Sequence, residues 1–535
     1  MAETAKEPRP ADEVVDIARD LIRIDTTNTG DNATAKGERA AAEYVAEKLA
    51  EVGLEPKIYE SAPGRASVAC RFPGADPARG ALLLHGHLDV VPAEADEWSV
   101  HPFGGEIKDG YLWGRGAVDM KDFDAMLIAL VRSWRREDKV PPRDLVLLFT
   151  ADEEAGSDYG ARFMVEQHPE VFEGVTEAVG EVGGFSMTLP NDLRVYVVQT
   201  AEKGLDWLRL RATGRPGHGS MLHDDNAVTR LSRAVANIGQ HKFPVEMTPT
   251  VRQFLESVSE LTGVEFDPEN PDETVAKLGP IARLVGATLR NTANPTRLNA
   301  GYKTNVIPST AEAVIDCRSL PGRNDELEAI LKDLAGAGID FEYEIRQPGY
   351  ETSFDGPLVD AMAEAVRLAD PGAVTVPYML SGGTDAKAFA TLGIRCFGFA
   401  PLKLPADLDF TALFHGIDER VPLSGLQFGV DAMDRFIARS LRAPGGPSRG
   451  EHPHRARARI RPGHRTAAAA TIDSDVDLPL EAAGSPRRAP LRTDPQGAHR
   501  EPRSPHFPPC APPPRNTLVT TALWRRQCSA TPNSP

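Results

Sequence analysis

Hydrophobic positions along the chain alternate between two periods, and each change of period marks an element. Val14, Val15, Ile17, Ala18, Leu21 and Ile22 recur at helical spacing over 12–24. The stretch 37–52 repeats that pattern, and Gly53 supplies a C-terminal stop. Short β-like runs follow at 56–59, 66–72 and 80–88. An amphipathic helix is predicted over 123–136 and a strand over 144–150. Strands and helices alternating in this way predict an α/β fold with a mostly parallel sheet.

From Lys203 the order changes. Residues 205–212 alternate as a strand and 226–238 read as a helix. A strand over 311–318, a helix over 325–335 and a strand over 340–345 complete an α+β insert. The pattern then returns to the first body near Ser353, with helices predicted over 358–368 and 423–441. The expected domains are 1–202, an inserted 203–350, a returning 351–442, and a tail over 443–535. The tail holds 17 of the 45 prolines and no sustained periodicity. Such a segment buries too little apolar surface to offset its ordering entropy, so it is expected to be disordered. It reads either as a natural extension or, preferably, as GC-rich sequence translated out of frame or past the usual stop.

The apolar runs end in polar residues. Leu82-Leu83-Leu84 leads into His85-Gly86-His87-Leu88-Asp89, and Leu145 to Phe149 leads into Glu153-Glu154. Glu181 closes another short run, Asp119 lies in Gly114-Arg115-Gly116-Ala117-Val118-Asp119-Met120-Lys121, and His415 lies far downstream. Open α/β sheets place their sites at strand C-terminal ends. Two histidines and several carboxylates there suit a pair of divalent metals. Asp89, two residues from His87 on the same strand face, can accept the other imidazole N–H and fix the tautomer. An acidic pair after a strand is by itself an ordinary helix start; the other ligands decide otherwise. His85 reads as a strand residue or a neighbour of the ligands, and His101, His168, His223 and His241 lack partners at ligand spacing.

His87-Leu88-Asp89-Val90-Val91-Pro92, the Gly114–Lys121 block and Asp152-Glu153-Glu154 occur in order. Over about 11–441 the chain resembles the M20 family of zinc peptidases and amidohydrolases. That family includes carboxypeptidase G2, aminoacylase-1, succinyl-diaminopimelate desuccinylase and acetylornithine deacetylase. The resemblance implies that His87 and Glu181 hold one metal, Glu154 and His415 the other, and that Asp119 bridges them. It implies two divalent ions, zinc with cobalt able to substitute, and Glu153 as the base that takes a proton from water. The segment Gly180-Glu181-Val182-Gly183-Gly184 departs from the family's Glu-Gly-Gly pattern by interposing Val182.

The same resemblance makes the inserted segment a lid or dimerisation domain, with a possible homodimer through it. His218, in Gly217-His218-Gly219-Ser220, matches the lid histidine that donates to the oxyanion. Asn305 and Arg318 match substrate-contacting lid positions, and Arg318 can hold a carboxylate bidentately. Gly382 and Gly383, in Ser381-Gly382-Gly383-Thr384-Asp385, match a glycine turn whose N–H groups can cradle that carboxylate.

Charge and composition narrow the reading further. The tail carries 14 Arg, no Lys and seven acidic residues. With its +7 removed from the overall −17, residues 1–442 carry −24, which argues against nucleic acid as a partner. No apolar run approaches the roughly 18 residues of a membrane span. The start lacks a basic segment followed by an apolar one, and five scattered cysteines show no CxxC spacing. A cytoplasmic protein with a small-molecule or peptide substrate is expected. Neither a GxSxG elbow nor a P-loop is present in residues 1–442. The expected function is a zinc-dependent amidohydrolase or peptidase of carboxypeptidase or aminoacylase type. It would cleave the amide of an N-acyl amino acid or short peptide with a free carboxylate. A dedicated biosynthetic deacylase is the alternative. A non-catalytic scaffold is disfavoured by the intact Glu153 and ligand set.

Overall fold

The computed structural model describes residues 9–189, 192–278 and 282–439; the tail expected over 443–535 lies outside them. At its centre the strands Leu145–Thr150, Ala81–His87, Val175–Gly180 and Arg395–Gly398 run parallel, side by side. Arg65–Phe72 and then Lys57–Ala62 extend this block antiparallel on one edge. Arg194–Glu202 lies beyond Arg395–Gly398, with Val374–Leu380 parallel to it.

Ala81–His87 is buried at every position, which is why it reads as a continuous apolar run instead of an alternating one. Leu82 and Leu84 join the large core containing helices Pro10–Arg23, Lys121–Arg136 and Leu423–Arg439. Leu83 turns to the opposite face, against Phe389 and Met164. His85 shares that second face, its ring edge-on to Phe389 at 4.8 Å. Burial pushes its imidazole down to about 3, so it is a neutral packing residue, as expected. A Cβ on Gly180 would come within 2.1 Å of that ring, so only glycine fits beside it.

Helix Lys121–Arg136 is buried along most of its length. Its first residue is put to structural use: Lys121 Nζ donates to Leu21 O at 3.0 Å and Ile24 O at 2.8 Å, capping the end of helix Pro10–Arg23.

The insert carries a separate four-stranded antiparallel sheet, ordered Thr292–Ala300, Thr310–Arg318, Leu205–Thr213 and Ile339–Gln347. Leu208, Leu210 and Ala212 point to a core shared with helices Ala227–Gln240 and Asn324–Ala335. The alternate residues face outward, the pattern of a sheet covered on one side. Not all of 203–350 belongs there. Helix Pro249–Thr262 packs on strand Val374–Leu380, and its Val251, Phe254, Leu255 and Val258 lie in the main core. No helix among the described residues is long and apolar enough to cross a membrane.

Candidate metal centre

The parallel strands deliver four acidic or imidazole groups to one end of the sheet, and two loops add the rest. His87 ends its strand, Glu153–Ala155 forms a short turn after Leu145–Thr150, and Glu181 follows Val175–Gly180. Asp119 comes from the loop before helix Lys121–Arg136, and His415 from the loop before Arg420–Pro422.

Asp119 sits between the two imidazoles. His87 Nε2 lies 3.1 Å from Asp119 Oδ1, and His415 Nε2 lies 3.3 Å from Asp119 Oδ2. On the His87 side, Glu181 Oε2 is 3.5 Å and Glu153 Oε2 4.0 Å from Nε2. On the other side, Glu154 Oε2 is 3.1 Å from His415 Nε2. Ligand atoms of His87, Asp119 and Glu154 lie within 4.8 Å of one another, as do those of His87, Glu153 and Glu181.

This donor set fits divalent cations. Burial raises Glu153 and Glu154 above the ordinary carboxylate range and pushes Glu181 up to about 8. Glu154 Oε1 is buried without a hydrogen-bond partner. Four crowded carboxylates beside the buried His87 are costly by themselves, and positive ions between them remove that cost. His87 is also presented correctly. Its Nδ1 is 3.0 Å from the Asp89 main-chain oxygen, an acceptor only, so Nδ1 carries the proton and the Nε2 lone pair faces the cluster.

Asp89 does more than the sequence suggested, and through different atoms. Its carboxylate is farther from the imidazole, with Oδ1 3.6 Å from Nδ1. It accepts instead from the Glu153 and Glu154 backbone N–H groups, both at 3.1 Å, and from Asn28 Nδ2 at 2.9 Å. Burial works to raise this carboxyl, but the nearby His87 imidazole and bonds from Asn28 and the Glu154 N–H hold it below its ordinary value. A single carboxylate thus fixes the turn that carries the acidic pair.

Several positioning residues escaped the sequence. Glu419 is fully buried and accepts from the N–H groups of Gly116, Val118 and Asp119 and from Arg115 Nη1 at 2.7 Å, moulding the loop that presents Asp119. Asn28 and Arg65 hold Asp152, the residue before the acidic pair, at 3.1 and 2.8 Å. Asp385 accepts from Thr150 and Ser157 at 2.5 Å each. Glu419, Asn28 and Arg65 have no local pattern to betray them, and the glycine-turn motif gave Asp385 no role of its own. Backbone conformation points the same way: Asp152, Val182 and His415 all have positive φ, at 66°, 54° and 57°. Left-handed non-glycine residues collecting at one place are a mark of a functional site. The interposed Val182 leaves Glu181 in the cluster, and its carbonyl accepts from Tyr378 OH.

The residues expected on a lid stand apart. Among the described residues, no hydrogen bond or ion pair joins His218, Asn305 or Arg318 to the cluster. His218 is exposed on a two-stranded ribbon with Val306–Ile307, its Nδ1 2.8 Å from Ser220 Oγ. Asn305 O accepts from the Gly219 N–H at 2.9 Å, holding the ribbon's turn. Arg318 uses Nε and Nη2 on Asp316, at 2.7 and 3.2 Å, which leaves its Nη1 edge open. The Gly382-Gly383 turn is anchored just beyond, where the Thr384 N–H and Lys387 Nζ donate to buried Glu202 at 3.0 and 2.8 Å. A Cβ on Gly383 would meet that Lys387 Nζ at 2.3 Å.

Comparison with known proteins gives the family and the fold. The family model described as Peptidase family M20/M25/M40 matches residues 83–439. Rat (Rattus norvegicus) aminoacylase-1A is 27% identical over 456 residues, covering 83% of this chain and 99% of that protein. The M20 family metallo-carboxypeptidase Sso-CP2 from Sulfolobus solfataricus superposes with a TM-score of 0.63 at 18% identity, over 80% of this chain and 99% of that one. The Bacillus subtilis YXEP protein, described as a dinuclear metal binding peptidase from the M20 family, gives a TM-score of 0.53 at 15% identity, over 81% and 98%. At these identities the solved structures establish the fold.

Proposed function

The chain belongs to peptidase family M20/M25/M40 and is a hydrolase, and from that membership we propose that it cleaves the amide bond of N-acyl amino acids or short peptides bearing a free carboxylate. The observation that carries this reading is the pair of imidazoles converging on the two oxygens of Asp119, with Glu181 on one side and Glu154 on the other. Aminoacylase-1A, the relative matched over nearly its whole length, supports the acyl amino acid substrate class.

In this reading His87, Asp119 and Glu181 would hold one divalent ion and Asp119, Glu154 and His415 the other, with zinc as the native metal and cobalt able to substitute. Such ions supply Lewis acidity and bring the pKa of water from about 15.7 towards about 7. Glu153 then takes the proton from water as it adds to the carbonyl and passes it to the leaving nitrogen. Asp89 keeps Glu153 aimed by holding its backbone N–H. His218 donates to the developing oxyanion once the lid closes, and Arg318, Asn305 and the Gly382-Gly383 turn take the substrate carboxylate. Cys70, Cys317 and Cys396 are buried free thiols, which supports a cytoplasmic setting. The exposed edge strand Thr292–Ala300 supports a homodimer through the lid sheet.

A panel of N-acyl amino acids and dipeptides with added zinc or cobalt tests the reading. Hydrolysis of several is expected, and inactivity on all would overturn it. Activity confined to one succinylated or acetylated biosynthetic amine would instead make the chain a dedicated deacylase.

Arg318 offers a sharper test of the carboxylate. Arg318→Ala is expected to lower kcat/KM for carboxylate-bearing substrates by about 10–150-fold, the scale of a charged hydrogen bond. Masking the substrate carboxylate as an amide should hurt the parent similarly and the variant little. If Arg318 serves only Asp316, the variant melts earlier and keeps its acid-over-amide preference.

A further inference from the structure

The turn that carries the acidic pair is gripped from two directions. From the main body, the Asp89 carboxylate accepts from the Glu153 and Glu154 N–H groups. From the insert, Gln347 Nε2 donates to Gly156 O at 2.9 Å. Gly156 is the residue that closes the turn: its N–H donates to Glu153 O at 3.1 Å, and its φ is 109°. The peptide that follows it is held at both ends. Its oxygen takes the Gln347 amide, and its Ser157 N–H donates to Asp152 O at 2.7 Å, one residue before the base. Ile345, two residues before Gln347 and so on the same face of its strand, covers the same glycine. Its Cδ1 lies 2.7 Å from where a Cβ on Gly156 would stand.

Gln347 does not belong to the sheet that delivers the acidic and imidazole groups. It ends strand Ile339–Gln347 and pairs with Leu205 in the insert's sheet, whereas Tyr350, three residues on, pairs with Glu202 in the main sheet. Between those two pairs, neighbouring chain segments pass from one sheet to the other. They run so close that a Cβ on Gly349 would meet Gly204 N at 2.7 Å. The bond from Gln347 to Gly156 therefore ties the insert's sheet to the base's own turn. We propose that Gln347 is a positioning residue through which the insert braces the Glu153 turn, so that the aim of the base depends on where the insert's sheet sits. This deepens the amidohydrolase reading by adding a control on its base, and rests on it.

The test uses the full-length, metal-loaded protein. Gln347→Met keeps the length of the side chain and removes its N–H donors. A displacement of about 1 Å at a reacting group costs up to about a hundred-fold, so kcat on an N-acyl amino acid is expected to fall by about ten-fold or more, with KM within about two-fold and metal content unchanged. Hydrogen exchange of the backbone amides over 153–157 needs no substrate and should quicken by about five-fold, the scale of one lost hydrogen bond. Gln347→Lys, which returns an N–H donor, should recover most of both losses. Parental kcat in Gln347→Met overturns the proposal, whatever its melting temperature. So does a fall in kcat that comes with lost metal or with unaltered exchange over 153–157. If the parent hydrolyses no N-acyl amino acid or dipeptide, the amidohydrolase reading falls, and the exchange measurement alone decides whether Gln347 braces the turn.

Discussion

Asp119→Ala is expected to purify with at most one divalent ion per chain and to lose about a thousand-fold or more in kcat/KM. The magnitude follows from the several kcal/mol that Lewis-acid stabilisation contributes to the transition state. The geometry gives the reason. Asp119 Oδ1 and Oδ2 are the atoms that His87 and His415 separately approach, at 3.1 and 3.3 Å. Without them the two halves of the cluster share no group. Folding should survive, because Glu419 holds the loop through the backbone N–H groups of 116, 118 and 119, which alanine retains. Elemental analysis of the purified variant is the check, and retention of two ions would remove Asp119 from its bridging role.

Glu153→Gln should behave differently. Metal content is expected to stay near the parental value while kcat falls by about a hundred-fold or more, the scale of a lost general base. Glu153 Oε2 is 4.0 Å from His87 Nε2, whereas Glu154 Oε2 is 3.1 Å from His415 Nε2. That asymmetry supports Glu154 as ligand and Glu153 as the free partner. Glu154→Ala, in contrast, should lose metal. Metal loss in Glu153→Gln with retention in Glu154→Ala would reverse the two roles.

Much of this was legible before any coordinates, for a physical reason. A strand buried on both faces must be apolar throughout, so Leu82-Leu83-Leu84 and Leu145 to Phe149 announced themselves, and the polar residues after them marked the sheet's C-terminal end. Residues whose role depends on distant chain were silent. Glu419 acts on a loop some 300 residues earlier, and Asn28 on carboxylates at 89 and 152; neither has a periodic neighbour. Strand Thr292–Ala300 was missed because it is exposed, polar and interrupted by Pro295, tolerable only at an edge. Helix Pro249–Thr262 falls in the inserted sequence yet packs on the main sheet, which periodicity along the chain has no means of revealing. Asp89 shows a subtler limit: its identity was readable, but which of its oxygens meets the imidazole was not.

The central claim is that two divalent ions in the Asp119 cluster make this chain an amide hydrolase. A titration of metal-stripped protein with zinc, followed by hydrolysis of an N-acyl amino acid, tests it most directly. The account predicts no activity in the stripped protein and a rise that levels off at two equivalents per chain. Full activity in the stripped protein, or a plateau reached with no ion bound at the cluster, would contradict it.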